Sequence, residues 1–326
     1  MDNLISLMEV LNSRQNLILC GHIMPDGDSL GSMLALGKVL EGAGKNVIMA
    51  SFDPVPDNLT FLPGADKIHT GDREFAEQFD TFVMLDCSSP DRLGPYAKLL
   101  KRDLITVNID HHPGNTIRAG YTYVDPAAAA TGEIIYDMLI HSGCNISSEV
   151  AACLYTAIIT DTGSFRYENT TPATHRRVAE LMECGIEPAK LTELIYDQKS
   201  MPAILLLRAA LQTLEFSKCR RVAWISVFRK TLEEVNARDE QAEGIINYPR
   251  SIKGVEVAIL FRETEPGVFK VGFRSKGEVD VQCLASKFGG GGHVRASGCI
   301  VKGEFKDICK QVVNSAVNAV ENKGGC

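Results

Sequence analysis

A chain of 326 residues with 45% hydrophobic and 23% charged side chains is long enough for two ordinary domains, each able to bury a core. Lys and Arg number 34 against 41 Asp and Glu, a net charge of −7, which excludes a protein that wraps long duplex nucleic acid through neutralised phosphates. The longest apolar runs, such as 203–207 and 255–261, fall far short of the ~20 residues that cross a bilayer, so no membrane partner is expected.

The first 185 residues or so alternate strand and helix. Buried strands are expected at 16–20, 46–50, 79–86 and 103–110, with helices at 29–41, 127–142, 148–160 and 172–184. The alanine run 127–130 reads most simply as a helix start, Thr171-Pro172 as an N-cap followed by an N1 proline, and Cys184-Gly185 as a stop. This pattern predicts a largely parallel α/β sheet covered by helices. Residues 188–216 read as a helical connection broken at 200–202. Strands at 221–228, 255–262 and 268–274 and helices at 279–288 and 305–322 then make a smaller α+β unit. The expected division is a domain over 1–187, a linker over 188–216 and a second domain over 217–326.

Ten cysteines show no C-x-x-C pair and no regular spacing, which argues against a zinc knuckle or a disulfide framework. Cys20, Cys87 and Cys153 sit in apolar patterns and read as packed free thiols. The start, Met1-Asp-Asn-Leu-Ile-Ser, carries no basic segment followed by an apolar one, so no signal peptide is visible and a cytoplasmic protein is expected.

Chemistry concentrates where the apolar runs end. His22-Ile-Met-Pro-Asp26-Gly-Asp28 follows the first strand, Asp86 follows 81–85, and Asp110-His111-His112-Pro-Gly-Asn115 follows 103–109. The apolar segment 151–160 likewise runs into Asp161-Thr-Gly-Ser-Phe-Arg166. Strand ends of an open α/β sheet are where such sheets bind ligands. Taken alone, Asp28 serves equally well as N-cap of the 29–41 helix, and Asp110 as a turn former. Four segments all finishing in Asp or His exceed what capping and chance supply. Asp26, Asp28, Asp86 and Asp161 in one crevice could not all stay ionised without compensation, and two divalent cations would supply it. Carboxylate oxygen mixed with imidazole nitrogen suits Mn²⁺, Co²⁺, Fe²⁺ or Zn²⁺ more than Ca²⁺, and Mn²⁺ is the first choice.

A glycine run, Phe288-Gly-Gly290-Gly291-Gly292-His293-Val-Arg295-Ala-Ser297-Gly298, stands near the end of the chain. Consecutive glycines pack nothing, so they suit a backbone nest for an anion, and the alternative is a flexible loop. Arg250, Arg262, Arg274, Lys276, Lys287, His293 and Arg295 cluster in the same part of the chain, as a phosphate-binding set or as a solvated basic face.

These five segments, in order, resemble motifs I to IV of the DHH phosphoesterase superfamily and the glycine-rich signature of its DHH-associated C-terminal domain. The resemblance runs from about residue 15 to about residue 300. It implies that His22, Asp26 and Asp86 hold one ion and that Asp28, Asp86, His111 and Asp161 hold the other, with Mg²⁺ or Co²⁺ as alternatives to Mn²⁺. Two such ions ~3.5 to 4 Å apart activate water for in-line attack on phosphorus. By the same resemblance Asp110 orients a neighbouring imidazole, and His112 serves the leaving oxygen as hydrogen-bond donor or general acid. The signature residues Gly290, Gly291, Gly292, His293, Arg295 and Ser297 would face the metals across a cleft and bind substrate. Arg166 is a weaker phosphate contact or an ion-pair partner for Glu168.

The two-domain layout looks most like the nanoRNase/pAp phosphatases, whose substrates are short RNA, linear dinucleotides such as pApA or pGpG, and the nucleotide bisphosphate 3′-phosphoadenosine 5′-phosphate. The rival readings are an inorganic pyrophosphatase, which lacks this C-terminal signature, an exonuclease on long single-stranded DNA, which the charge disfavours, and a nucleotide sensor without catalysis. A homodimer is compatible with all of them.

Overall fold

The computed structural model describes residues 2–72, 79–242 and 244–322, and the chain divides into two compact units, Met1–Gln198 and Lys199–Cys326. The first unit runs α1 (Asp2–Asn12), β1 (Asn16–Cys20), α2 (Gly27–Gly42), β2 (Asn46–Ser51), β3 (His69–Thr70) and β4 (Thr81–Leu85). A 3₁₀ segment over Pro90–Lys101 follows, then β5 (Ile105–Asp110), β6 (Tyr121–Val124), α3 (Thr131–His141), α4 (Ser148–Asp161), α5 (Pro172–Glu183) and α6 (Pro188–Tyr196).

All six strands of this unit pair in parallel, in the order β3-β2-β1-β4-β5-β6. The chain builds outward from β1 to β3 and then returns to lay β4 on the other side of β1. The topological switch therefore falls between β1 and β4, where open α/β sheets bind ligands beyond the carboxyl ends of their strands. Cys20 pairs with Met84 and Leu85 with Ile109, so the residues just after β1, β4 and β5 emerge side by side.

The alternation of side chains along each strand separates two cores. Leu17, Leu19, Val83 and Leu85 face the helices α1 to α4, whereas Ile18, Cys20, Phe82 and Met84 face Leu93, Tyr96 and Leu99 of the 3₁₀ segment. Helix α2 crosses α4 at close range. A Cβ on Gly31 would come within 2.4 Å of the Cys153 carbonyl oxygen, so this crossing requires a glycine and seats the start of α2 against α4.

The second unit comprises α7 (Met201–Gln212), β7 (Glu215–Phe216), β8 (Val222–Val227), α8 (Arg229–Glu234), α9 (Asn247–Ser251) and β9 (Val257–Glu265). It continues with β10 (Val268–Ser275), α10 (Val281–Ser286), β11 (Gly291–His293), β12 (Ala296–Lys302) and α11 (Phe305–Glu321). Its sheet, in the order β11-β12-β10-β9-β8-β7, is antiparallel except for the β8–β9 pair. Val257, Ile259 and Phe261 point into a core with α10 and α11, and Ala258 and Leu260 into one with α7.

The α/β character of the first unit and the smaller α+β character of the second follow the expected pattern, and several local details differ. The helical stretch 188–216 divides at the unit boundary, with α6 in the first unit, α7 in the second and Phe216 already in a strand. Residues 127–130 are a turn that precedes α3 and not its first turn, because their backbone is engaged from outside. The Ala127 N–H is held by Asp125 Oδ1 at 2.9 Å, and the Ala129 N–H by Glu133 Oε2 at 3.0 Å.

The glycine run is not a free loop, since Gly291 to His293 form β11 and pair with Ala296 to Gly298 of β12. A Cβ on Gly290 would lie 2.1 Å from the Gly298 carbonyl oxygen, and one on Gly292, whose φ is 137°, 2.6 Å from that of Ala296. Two of the glycines are thus needed for close approach of backbones. Among the described residues eight cysteines are free thiols, and Cys283 departs from the expectation in being disulfide-bonded. Among the described residues no helix is long and apolar enough to cross a membrane.

Candidate metal centre

His22 lies two residues beyond β1. Its Nδ1 is 2.8 Å from the Ile23 carbonyl oxygen, and because a carbonyl only accepts, Nδ1 carries the proton. The other ring nitrogen, Nε2, faces Asp26 Oδ2 at 3.5 Å and Asp86 Oδ2 at 3.4 Å. Asp26 is the N-cap of α2, its Oδ1 accepting from the N–H groups of Asp28 at 3.1 Å and Ser29 at 3.0 Å. The capping role considered for Asp28 therefore belongs to Asp26, because α2 begins at Gly27 rather than Ser29.

Asp28, released from capping its own helix, caps another. Helix α3 has no side-chain cap of its own at Ala130, and its first two N–H groups, on Thr131 and Gly132, donate to Asp28 Oδ2 at 2.7 Å and Oδ1 at 2.8 Å. Ser32 Oγ donates to the same Oδ1 at 3.1 Å. Asp28 Oδ2 also faces His111 Nε2 at 3.7 Å.

His111 repeats the His22 arrangement, with Nδ1 held by the Ala128 carbonyl at 3.2 Å and Nε2 facing Asp161 Oδ2 at 3.5 Å and Asp86 Oδ1 at 3.7 Å. Asp161 arrives as the last residue of α4, so this contribution comes from a helix end and not a strand end. Asp86, immediately after β4, has a φ of 59°, a left-handed conformation that Asp adopts more readily than most residues. That turn directs Oδ2 toward His22 and Oδ1 toward His111.

A third arrangement lies alongside. The fully buried Asp110 holds His112 Nδ1 at 2.7 Å through Oδ1 and accepts from Asn115 Nδ2 at 2.6 Å through Oδ2. The imidazole that Asp110 orients is thus that of His112. Asn115 also donates to the Cys87 carbonyl at 2.8 Å, which ties the end of β5 to that of β4.

These contacts bring His22, Asp26 and Asp86 into one group, Asp28, His111 and Asp161 into a second, and Asp86, His111 and His112 into a third, the potential ligand atoms of each lying within 4.8 Å of one another. In both His22 and His111 an Nε2 lone pair of the neutral ring would face carboxylate oxygens. That is repulsive unless a proton or a cation stands between them. Among the described residues no Lys or Arg forms an ion pair with Asp26, Asp28, Asp86 or Asp161.

Protons partly fill that role. Burial disfavours a charged His22, yet the charge and hydrogen bonding of Asp26 and Asp86 outweigh it and raise its pKa to about 10. Burial among carboxylates pushes Asp161 up to about 7 against the attraction of His111, and holds Asp28 well above the usual carboxylate range. Burial works to raise Asp86 too, but the His22 hydrogen bond and the charges of the nearby imidazoles keep it low. A set of carboxylate oxygens and imidazole nitrogens with this charge deficit fits divalent first-row cations.

Arg166 is exposed and donates from Nε to the Gly163 carbonyl at 2.6 Å, and among the described residues it forms no ion pair with Glu168. It follows Gly163, Ser164 and Phe165, with φ of 55°, 60° and 62°, a left-handed run that turns the chain back after Asp161. Gly291, Gly292, Arg295 and Ser297 belong to the β11–β12 hairpin of the second unit, Gly290 stands directly before it, and the side chain of His293 lies outside the described residues. Arg295 NH1 donates to the Val279 carbonyl at 3.1 Å, and the buried Ser297 hydroxyl donates to that of Val281.

Sequence reasoning missed Thr131, whose hydroxyl donates to Asp86 Oδ1 at 3.0 Å, and Asn169, whose Nδ2 donates to the Asp161 carbonyl at 3.2 Å. It quoted Asn115 within a motif without giving it a role. The only signal for Thr131 was a polar residue directly after an alanine run.

Residues 16–158 match the DHH family, N-terminal domain, and residues 224–323 match the DHHA1 domain. The bifunctional oligoribonuclease and PAP phosphatase NrnA of Thermus thermophilus is 34% identical over 320 residues, which cover 97% of this chain and 94% of that protein. Among solved structures, an exopolyphosphatase-related protein from Bacteroides fragilis has a TM-score of 0.91 at 26% identity, covering 98% of this chain and 96% of that one. RecJ from Thermus thermophilus, solved in complex with Mn²⁺, shares the fold with a TM-score of 0.57 at 12% identity, covering 97% of this chain and 55% of that chain. With both domains matched in order and a relative aligned along nearly its whole length, the chain belongs to the DHH family of phosphoesterases, in the form that carries a DHHA1 domain, and is a hydrolase.

Proposed function

We propose that this phosphoesterase hydrolyses short oligoribonucleotides, linear dinucleotides and 3′-phosphoadenosine 5′-phosphate, with two divalent cations, Mn²⁺ first among them. The observation that carries the reading is the pair of ligand groups joined by Asp86, whose two carboxylate oxygens face different imidazoles. The name carried by the Thermus thermophilus relative supports the choice of substrates, and the net charge of −7 supports short ones over long nucleic acid.

His22, Asp26 and Asp86 would hold one ion, and Asp28, Asp86, His111 and Asp161 the other. When bound, the two ions neutralise the carboxylates, lower the pKa of water and offset charge on the phosphoryl oxygens. His112, its Nδ1 held by Asp110, supplies Nε2 for proton transfer to the leaving oxygen. Arg295 and Gly290 to Gly292 would bind the far phosphate of the substrate, with His293 and Ser297 beside them, and Arg166 would be an additional phosphate contact from the first unit.

The test is turnover of a substrate panel by chelated and Mn²⁺-loaded protein. The panel takes 5′-labelled RNAs from dinucleotides to long oligomers, 3′-phosphoadenosine 5′-phosphate, pyrophosphate and single-stranded DNA. Turnover should be fastest on the shortest RNAs and the bisphosphate, vanish in EDTA and return with Mn²⁺. Full activity with metal content measured as zero would remove the two-metal reading. Faster turnover of pyrophosphate or long DNA would favour another member of the family.

Arg295→Ala should raise KM for short RNA and the bisphosphate by tenfold to a hundredfold, since a charge-assisted contact contributes ~1.5 to 3 kcal/mol. It should leave slow cleavage of bis-p-nitrophenyl phosphate intact, because that ester is small enough to need only the metals. A parallel loss of both activities would mean that the bond to the Val279 carbonyl is the whole role of Arg295.

A further inference from the structure

We infer that Thr131 is a positioning residue that sets the spacing of the two ligand groups, an inference that rests on the two-metal reading above. Thr131 is fully buried and engages a carboxylate from each group. Its N–H donates to Asp28 Oδ2 at 2.7 Å and its hydroxyl to Asp86 Oδ1 at 3.0 Å. Asp86 and Asp28 lie 45 and 103 residues away in the chain, so one residue fixes the relation between oxygens that arrive from two different elements.

The ordinary alternative for a helical threonine is to return its hydroxyl to its own helix. The threonines of α4 and its C-cap do so, with Thr156, Thr160 and Thr162 donating to the carbonyls of Ala152, Thr156 and Ile158 at 2.8, 2.8 and 2.7 Å. As the first residue of α3, Thr131 has no preceding turn to bond, and its hydroxyl goes to the carboxylate instead.

The segment before it is braced in the same sense. The Ala128 carbonyl holds His111 Nδ1 at 3.2 Å. Ala129 is clamped on both sides, its N–H by Glu133 Oε2 at 3.0 Å and its carbonyl by Asn169 Nδ2 at 2.9 Å. Asn169 Nδ2 also donates to the Asp161 carbonyl at 3.2 Å, which couples the turn to the end of α4. Residues 128–132 therefore touch His111, Asp28 and Asp86 directly and Asp161 through Asn169. Partners that orient metal ligands in this way typically contribute tenfold to a hundredfold to metal affinity.

The experiment is Mn²⁺ titration without substrate, followed by electron paramagnetic resonance or calorimetry, on the full chain and on Thr131→Val, Thr131→Ser and Thr131→Ala. Valine keeps the shape and removes the hydroxyl, whereas serine keeps the hydroxyl. Thr131→Val should bind Mn²⁺ about tenfold to a hundredfold more weakly, with an unfolding midpoint in EDTA close to that of the unaltered protein, and Thr131→Ser should restore most of the affinity. Thr131→Ala repeats the test with a residue that suits a helix start, should the valine variant not fold. Unchanged Mn²⁺ affinity in the valine and alanine variants, or a serine variant as weak as valine, would overturn the role of Thr131 alone. Failure of the unaltered protein to bind Mn²⁺ would overturn the two-metal reading with it.

Discussion

Asp86→Asn should abolish turnover and strip most of the bound metal while leaving the fold intact. Asparagine keeps the size of the side chain and, like aspartate, tolerates the left-handed backbone found at this position, where φ is 59°. Alanine is the poorer probe, because it adds a conformational cost of ~1 to 2 kcal/mol in that region and confuses strain with lost ligation. The charge is what matters here. Oδ2 faces His22 at 3.4 Å and Oδ1 faces His111 at 3.7 Å, so one neutralised carboxylate weakens both ligand groups at once. The loss of metal affinity should exceed the tenfold to hundredfold that partners outside the ligand set contribute. Metal content after dialysis, read beside turnover of a dinucleotide, checks this. A variant that retains its full complement of metal and loses only a few-fold in rate would show that Asp86 does not bridge.

Most of the cluster was legible because each ligand candidate stands next to a strand or helix end that the apolar pattern marks. β1, β4 and β5 are short buried runs, and parallel pairing with aligned ends places whatever follows them together. What the pattern could not reveal is which oxygen does which task. Asp26 and Asp28, two residues apart, both suit a cap, and the choice depends on α2 starting at Gly27. The alanine run was misread for a related reason. Alanine has the highest helix propensity, but side chains nearby in the chain (Asp125, Glu133) and distant from it (Asn169, His111) take the backbone groups of this run, and those bonds override propensity. The glycine run was read as an anion nest or a flexible loop, since nothing local distinguishes either from a strand that must lie close against its neighbour.

His112→Ala should have the opposite signature to Asp86→Asn, with metal retained and the rate reduced roughly 10²-fold or more, the usual scale for a lost general acid. The geometry contains a competing possibility, since His112 also lies in a potential ligand group with Asp86 and His111, its Nδ1 being 3.5 Å from Asp86 Oδ1. The shorter bond decides between them. At 2.7 Å from Asp110 Oδ1, Nδ1 is committed to a fully buried carboxylate that is itself anchored by Asn115 at 2.6 Å. Burial opposes a charged His112, but the Asp110 hydrogen bond and the charges of Asp86, Asp110 and Asp161 outweigh it and raise its pKa, which keeps the ring protonated nearer neutral pH. A general acid works only while protonated, so its rate falls as pH rises through that pKa. Asp110→Asn removes a cause of the elevation, and the alkaline limb of kcat should therefore move to lower pH, while metal content stays the same. Metal lost from His112→Ala in the same measure as from Asp86→Asn would make His112 a ligand and leave the leaving oxygen to be protonated by another group.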